Sequence, residues 1–218
     1  MSSKQIKISI LHFFIFNKNA QYTNFNLFYK DRIIGETEIN NMELLDIVDE
    51  KNNITGKIVD REIVHKDGLW HREVGVIIIN EKGELLLEKR SATKKQSPNK
   101  WAICAGHIES GDIPENAIVR EIKEEIGIDV KFEDLQFLDV FKRNKKFENG
   151  QENNTFIYIY VYKTKNKIED YTIQIEELSE VKYFPKDKIE NALKENNLDY
   201  AFYDEHYIKD ILNRIKEM

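Results

Sequence analysis

The segment GHIESGDIPENAIVREIKEEIGI, Gly106 to Ile128, holds six acids and two bases and has the period of a helix. Its isoleucines recur every fourth residue, which is the spacing of one buried stripe on an α-helix. We predict a helix over about 113–126 that Asp112 caps at its start and Gly127 ends. The stripe consists of Ile118, Ile122 and Ile126.

Three carboxylates on this helix lie three or four residues apart, so we expect them to share a face roughly opposite the stripe. They are Glu121, Glu124 and Glu125. Like charges at this spacing cost roughly 0.2–0.5 kcal/mol per pair, and a hard cation such as Mg²⁺ or Mn²⁺ would remove that cost. The alternative is an ordinary solvated helix face in which Arg120 pairs with Glu124.

The composition of the chain excludes several classes of protein. Its 218 residues are 41% apolar and 33% charged, which is typical of a globular protein. A net charge of −6 argues against a nucleic-acid polymer as partner. The single cysteine excludes an internal disulfide and favours the cytoplasm. The apolar run KISILHFFIF (7–16) is too short to span a bilayer, so we expect no membrane partner.

Residues 1–41 differ in composition from the rest of the chain, because they are rich in Phe and Asn and slightly basic. We place a boundary at about Met42 and expect an N-terminal extension over 1–41 and a functional domain over 42–218. The extension is expected to add a strand or two or a loosely packed arm. A second hypothesis is that the working protein starts at Met42.

From residue 42 onward, short strand-like runs alternate with helical ones. We predict strands at 74–79, 84–89, 101–104, 135–143, 155–163 and 181–184. Asn149 and Gly150 indicate a long hairpin between the fourth and fifth of these strands. Two further helices are expected at about 186–195 and 204–216, where apolar residues recur at helical spacing.

The segment from Gly106 to Ile128 resembles the Nudix box, a family pattern of spaced Gly, Glu, Arg-Glu and Glu-Glu residues. Eight of nine fixed positions match, and Asp112 stands at the ninth in place of Glu. Chance matches of this length are very rare, so the resemblance is strong for the fold and the metal site. The matching residues are Gly106, Arg120, Glu121, Ile122, Glu124, Glu125, Gly127 and Ile128.

The resemblance implies an α/β (α+β) protein, the Nudix α/β/α sandwich with a central mixed sheet and a loop–helix–loop box. It implies that Arg120 and three glutamates are catalytic and that Mg²⁺, or else Mn²⁺, is the cofactor. The implied metal ligands are Gly106 through its carbonyl, Glu121, Glu124 and Glu125. Arg120 would orient a glutamate of the metal site. Asp112 matches a supporting Glu, but we favour the helix cap as its role.

The chemistry that the resemblance implies is hydrolysis of a diphosphate linkage by an activated water. The expected partner is a small-molecule diphosphate, such as a nucleoside diphosphate derivative, and a homodimer is left open. The general base varies in the family, and the candidates here are Glu121, Glu176 and Glu177. We favour an ordinary exposed loop for the last two.

A wider resemblance, over roughly residues 43–215, links the chain to isopentenyl-diphosphate isomerases and to the Nudix hydrolases most similar to them. The isomerases carry a cysteine directly before the Gly-His of the loop, whereas this chain has Ala105 there and Cys104 one position earlier. A shift of one residue turns a strand side chain to the other face. Near the later acids of the isomerases this chain has Asn153 and Thr155, with Glu152 close by.

These differences favour the hydrolase, with the isomerase as the alternative and a non-catalytic diphosphate-binding module as a third reading. The histidines linked to metal binding in the isomerases are retained as His65, His71 and His107. Residues that could contact substrate are His71, Arg72, Arg90 and His107. Aromatic residues could stack on a base, although such a stripe is more often core; they are Tyr158, Tyr160, Tyr162, Phe202 and Tyr203.

Overall fold

The computed structural model describes residues 27–29, 32–34, 42–146, 152–197, 199–201 and 205–216. The chain forms two compact units. The first unit comprises Met1–Arg72, Ile108–Asp112 and Asn144–Phe156, and the second comprises Glu73–His107, Ile113–Arg143 and Ile157–Met218.

The first unit contains two short antiparallel strand pairs among its described residues. β1 (Leu27–Tyr29) pairs with β2 (Arg32–Ile34), and β3 (Leu44–Val48) pairs with β4 (Ile54–Asp60). The helix α1 (Arg61–Asp67) follows β4 directly. The elements β3, β4 and α1 were not predicted from the sequence, and the boundary at Met42 remains a prediction.

A local capping pattern explains α1. The carboxylate of Asp60 accepts a hydrogen bond from the backbone N–H of Glu62 at 3.0 Å, which satisfies a free donor of the first turn. Gly68 ends the helix in the left-handed conformation, with φ at 61°. The helix buries Val64 with Leu45 and Ile47 in a small core of this unit.

A seven-stranded sheet runs through the described residues in the order β11-β6-β5-β10-β9, with β7 on β6 and β8 on β5. All six predicted strands are present, mostly longer than predicted, and the third is split in two. The hairpin residues Asn149 and Gly150 lie outside the described residues. The strands are β5 (His71–Ile79), β6 (Leu85–Arg90), β7 (Trp101–Ala102), β8 (Cys104–His107), β9 (Leu135–Lys146), β10 (Glu152–Lys163) and β11 (Leu178–Phe184).

Among the described residues of the second unit, three α-helices cover the two faces of this sheet: α2 (Pro114–Ile126), α3 (Lys186–Lys194) and α4 (Glu205–Lys216). One face packs Ile77, Ile103 and Ile159 with apolar residues of α3 and α4 in the main core. α2 packs on β8, and the alternation of side chains along a strand places it on the opposite face. The predicted layered α/β fold with a central mixed sheet is confirmed.

The isoleucine stripe of α2 anchors this helix, as predicted. Ile118, Ile122 and Ile126 are each fully buried, and burial of such a side chain stabilises a fold by about 1.5–3 kcal/mol. Gly127 ends the helix with φ at 74°, and an added Cβ there would also approach the carbonyl oxygen of Thr172 to 2.6 Å. Both constraints require glycine at this position.

The predicted cap of α2 by Asp112 is wrong. The N-cap residue is Ile113, which is extended at φ −117° and ψ 155° and makes no side-chain cap hydrogen bond. The reason is Pro114, because a proline disfavours the helical conformation of the residue before it and itself fits the first helical position. The helix therefore starts at the proline, one residue later than the carboxylate would place it.

No helix among the described residues combines the length and apolar character needed to cross a membrane.

Candidate metal centre

The three glutamates of α2 do not share one solvent-facing side, contrary to the sequence prediction. Glu121 and Glu125 are buried at 9% and 6% exposure, and Glu124 is exposed. At about 100° per residue, Glu125 lies about 60° from the centre of the isoleucine stripe, Glu121 about 100° and Glu124 about 160°. Two carboxylates are therefore held against the sheet, and the third lies at the surface.

Glu121 occupies space that a side chain at position 106 would fill. A Cβ built on Gly106 would fall well under 3.0 Å from the carboxyl carbon and both oxygens of Glu121. Gly106 belongs to β8, whose register is fixed by its pairing with Val74 of β5. Glycine at 106 therefore lets the carboxylate lie directly against the strand backbone.

Arg120 ties the loop to the helix. Its Nη2 donates to the carbonyl of His107 at 3.0 Å. Its Nη1 lies 2.8 Å from Oε1 of Glu121 and 3.2 Å from Oε2 of Glu124. The planar guanidinium thus contacts two glutamates and the backbone beside Gly106 at once, which a lysine cannot reproduce.

Glu125 meets two further side chains that the sequence prediction did not include in the site. Glu88 of β6 and Cys104 of β8 are buried beside it, and a donor atom from each of the three lies within 4.8 Å of the others. The Oε2 atoms of Glu88 and Glu125 have no hydrogen-bond partner among the described residues.

Burial and mutual repulsion shape the protonation of this site. Desolvation, followed by the charge of Glu125, raises the pKa of Glu121 to about 8 in the ion-free protein. Desolvation also raises the pKa of Glu88, of Glu125 and of the Cys104 thiol. Buried acids packed this closely are costly unless a positive charge or protons offset them.

The comparison with known proteins identifies the family. The NUDIX domain model matches residues 69–206. An uncharacterised Nudix hydrolase of Clostridium acetobutylicum is 34% identical over 165 residues, which cover 73% of this chain and 78% of that protein. This chain belongs to the Nudix family. Nudix hydrolases act on phosphoric anhydride bonds, which confirms the predicted enzyme class.

Two further proteins extend the comparison. An isopentenyl-diphosphate Δ-isomerase of Aliivibrio fischeri is 28% identical over 180 residues, covering 80% of this chain and 98% of that protein. A crystal structure from Deinococcus radiodurans matches with a TM-score of 0.59 at 18% identity, covering 79% of this chain and 99% of that one. The structural match shows that the two chains share a fold.

The donor set of this Nudix centre fits a divalent cation. Glu121 and Glu125 are buried hard oxygen ligands one helical turn apart, and the Oε2 atom of Glu125 is without a partner among the described residues. The backbone of Gly106 lies against Glu121. A divalent ion is the family's usual requirement, and the arrangement supplies the charge and the geometry for it.

Glu177, a candidate base, lies close to this centre. Its charge raises the pKa of Glu125, although desolvation of Glu125 is the larger cause. Its carboxylate forms an ion pair with Lys94, and its carbonyl accepts a hydrogen bond from the backbone N–H of Ser91 at 2.8 Å. Glu176 is exposed. The role of either residue as base remains a prediction.

Two of the predicted substrate residues lie in the second unit. Arg90 is half-buried, and its Nε donates to the carbonyl of Gln96 at 3.1 Å. The Nε2 atom of His107 lies 3.8 Å from Oε1 of Glu73. Glu73 in turn accepts hydrogen bonds from Nη2 of Arg143 at 3.0 and 2.9 Å, in a buried ion pair.

The other two predicted substrate residues lie in the first unit. His71 is fully buried, with Nδ1 at 3.0 Å from the carbonyl of Leu69 and its ring edge-on to His65 at 5.1 Å. Arg72 donates to the side chain and the carbonyl of Asn52, at 2.7 and 2.6 Å. These contacts hold a turn in place, and substrate binding by either residue stays a prediction.

The positions that separate hydrolase from isomerase have distinct surroundings. Cys104 points toward Glu125, whereas Ala105 packs against the main core on the other face of the sheet. In the first unit Asn153 and Thr155 are buried neutral side chains, and Glu152 pairs with Lys146 at 2.8 Å.

The aromatic stripe of β10 includes a core residue. Tyr160 is buried, with edge-to-face contacts to Phe132 and Phe137 at 5.7 and 5.6 Å, and burial raises its pKa to about 12. Tyr158 and Tyr162 are half-buried. Phe202 and Tyr203 lie outside the described residues.

Glu88 could have been found from the sequence. It follows Leu85, Leu86 and Leu87 in a strand-like run, and its side chain falls on the same face as Leu86. A carboxylate at an inward position of a buried strand is rare unless it is paired or functional. Its meeting with α2, however, depends on tertiary packing.

Proposed function

We propose that this chain is a Mg²⁺-dependent Nudix hydrolase that cleaves a diphosphate linkage in a nucleoside diphosphate derivative or a similar small molecule. The observation that carries the proposal is the Glu121 carboxylate, buried against Gly106 and held by Arg120 at 2.8 Å, with buried Glu125 one turn away. The two carboxylates are buried and held by neighbouring groups, so they do not belong to a solvated helix face.

The expected metal ligands are Glu121, Glu124, Glu125 and the Gly106 carbonyl. When bound there, Mg²⁺ would neutralise phosphate charge and favour attack of water on phosphorus. Arg120 positions Glu121 and, through the His107 carbonyl, the loop that carries Gly106. Glu121, in the carboxylate site, and Glu177, whose charge acts on Glu125, are the candidates to accept the proton of the attacking water.

The alternative is an isomerase activity, which the similarity to the Aliivibrio fischeri enzyme supports. Position 105, where the resemblance places the isomerase cysteine, is alanine, and the Cys104 thiol lies with the carboxylates of α2. The geometry therefore supports the hydrolase better.

A substrate panel followed by phosphorus NMR tests the proposal. The panel contains nucleoside diphosphates and triphosphates, nucleoside diphosphate sugars, coenzyme-type diphosphates and isopentenyl diphosphate. We expect Mg²⁺-dependent cleavage of a phosphoric anhydride bond in at least one of the compounds. Isomerisation of isopentenyl diphosphate with no hydrolysis in the rest of the panel would overturn the proposal.

A further inference from the structure

The centre continues inward beyond the residues of the Nudix box. Glu88, Cys104 and Glu125, here called the inner cluster, come from β6, β8 and α2. Their donor atoms lie within 4.8 Å of one another, and the three residues are 2%, 4% and 6% exposed. The three donors belong to the second unit, where both strands pair with a neighbour in the sheet, β6 with β7 and β8 with β5.

The inner cluster has unused ligand atoms. Oε2 of Glu88 and Oε2 of Glu125 are buried and have no hydrogen-bond partner among the described residues. Most buried polar atoms in native proteins are paired, so orphaned carboxylate oxygens point to a ligand. The neighbouring cation Arg90 donates its Nε to the carbonyl of Gln96, so that N–H is not directed at the carboxylates.

We propose that the inner cluster is a second cation position, which binds a divalent transition metal such as Zn²⁺ or Co²⁺ through the Cys104 sulfur and the carboxylates of Glu88 and Glu125. Cysteine sulfur is a soft ligand that suits transition metals and does not suit Mg²⁺. On binding, the thiol proton and any proton held by the two carboxyl groups pass to solvent, and the sulfur binds as thiolate. Glu125 would then contribute to both cation positions.

The size of the cluster agrees with this assignment. Zn²⁺ binds sulfur at about 2.3 Å and carboxylate oxygen at about 2.0–2.2 Å, so donors around one ion lie roughly 3.5 Å apart. The donor atoms lie within 4.8 Å of one another, and rotations of the two glutamate side chains would bring them to this separation. Three protein donors leave a further coordination position for water or another ligand.

This inference goes beyond the proposed hydrolase function and does not depend on it. Diphosphate hydrolysis with Mg²⁺ at Glu121 does not require a metal at Cys104. Conversely, the inner cluster can bind a metal in a protein that hydrolyses nothing in the panel. The two claims are therefore measured separately.

A Co²⁺ titration of the metal-free full chain tests the inference, because a thiolate bound to Co²⁺ gives a charge-transfer absorption band in the near ultraviolet. The chain has one cysteine, so any such band reports Cys104. We expect the band in the wild type, its loss in Cys104→Ser, and at least ~10-fold weaker binding in Glu88→Gln. The matched control Glu180→Gln, an exposed carboxylate on β11, should keep the band and the affinity.

A measurement on the wild type keeps the test valid if Cys104→Ser fails to fold. X-ray absorption of the Zn²⁺-loaded chain should show one sulfur neighbour at about 2.3 Å. Absence of the Co²⁺ band together with a shell of oxygen and nitrogen alone would overturn the inference. Hydrolysis by Mg²⁺-loaded wild type, recorded in parallel, reports only on the proposed function.

Discussion

The carboxylate of Glu121 lies against the backbone of Gly106, in the space that a Cβ at position 106 would occupy. The glycine of β8 thus has a steric role, because the missing side chain lets the carboxylate lie against the strand. Arg120 contacts the same carboxylate, with its Nη1 atom 2.8 Å from Oε1 of Glu121. Position 106 and the orientation of Glu121 are therefore coupled.

Gly106→Ala should displace Glu121 and lower kcat/KM by about 100-fold, since misplacing a catalytic group by about 1 Å has an effect of that order. The end of a flexible side chain can move aside, so we expect the thermal midpoint to change little. Steady-state kinetics and a thermal melt check both points. In the Glu121→Gln background, Gly106→Ala should lower kcat/KM much less, because the carboxylate that it displaces is already absent. Equal losses in both backgrounds would refute the coupling.

Glu125→Gln should lower kcat by at least ~100-fold while the helix survives, since it removes a charge at the centre and leaves the isoleucine packing intact. Circular dichroism should match the wild type. The exposed carboxylate variant Glu180→Gln serves as control and should keep full activity. Activity of Glu125→Gln near the wild-type level would mean that Glu125 is not a ligand.

Arg120→Lys should lower kcat by about 10-fold or more, because a lysine keeps the charge but cannot contact Glu121, Glu124 and the His107 carbonyl at once. The apparent affinity for Mg²⁺ should fall as well, and activity should recover in part at high Mg²⁺. A kinetic titration with Mg²⁺ measures both effects. If the lysine variant has the kcat and the Mg²⁺ dependence of the wild type, Arg120 does not position Glu121.

The stability of the metal-free protein should fall as the pH rises. The pKa of Glu121 is about 8 in the folded chain, against an ordinary value of 4.5. Between these values the folded state binds the proton and the unfolded state has released it, so the free energy of unfolding declines with rising pH. The loss is complete once the pH exceeds the folded pKa.

Denaturant melts at several pH values, with chelator present, measure this decline. Glu121→Gln should be less pH-dependent than the wild type over that window, since it has no proton to lose at position 121. Addition of Mg²⁺ should stabilise the wild type more at the upper end of the window. A wild type and a Glu121→Gln variant with the same pH slope would contradict the assignment.

The features set by local spacing were predictable from the sequence. The isoleucine stripe of α2 and its stop at Gly127 follow from helical period and from the glycine conformation at a helix end. The start of α2 was misassigned because Pro114 outweighs the carboxylate of Asp112. The face of Glu125 was predicted wrongly, because its side chain lies only about 60° from the isoleucine stripe and is therefore buried.

Other parts of the centre depend on tertiary packing. Glu88, Cys104 and Glu125 are far apart in sequence and come from three elements, so their meeting requires the register of β6, β8 and α2.

The strand pair β3–β4 and the helix α1 of the first unit were not predicted, although the cap Asp60 and the stop Gly68 flank the helix. The helix has only 7 residues, and the spacing of its apolar residues is too short a pattern to identify a helix from the sequence.

The central claim is that the carboxylate site of α2 supports metal-dependent cleavage of a diphosphate linkage. The most direct measurement is product analysis of the full substrate panel with chelated wild type, before and after Mg²⁺ is restored. The account predicts no turnover in chelator and hydrolysis of at least one diphosphate once Mg²⁺ is present. Absence of turnover of every compound with Mg²⁺ or Mn²⁺, or turnover unaffected by chelation, would contradict it.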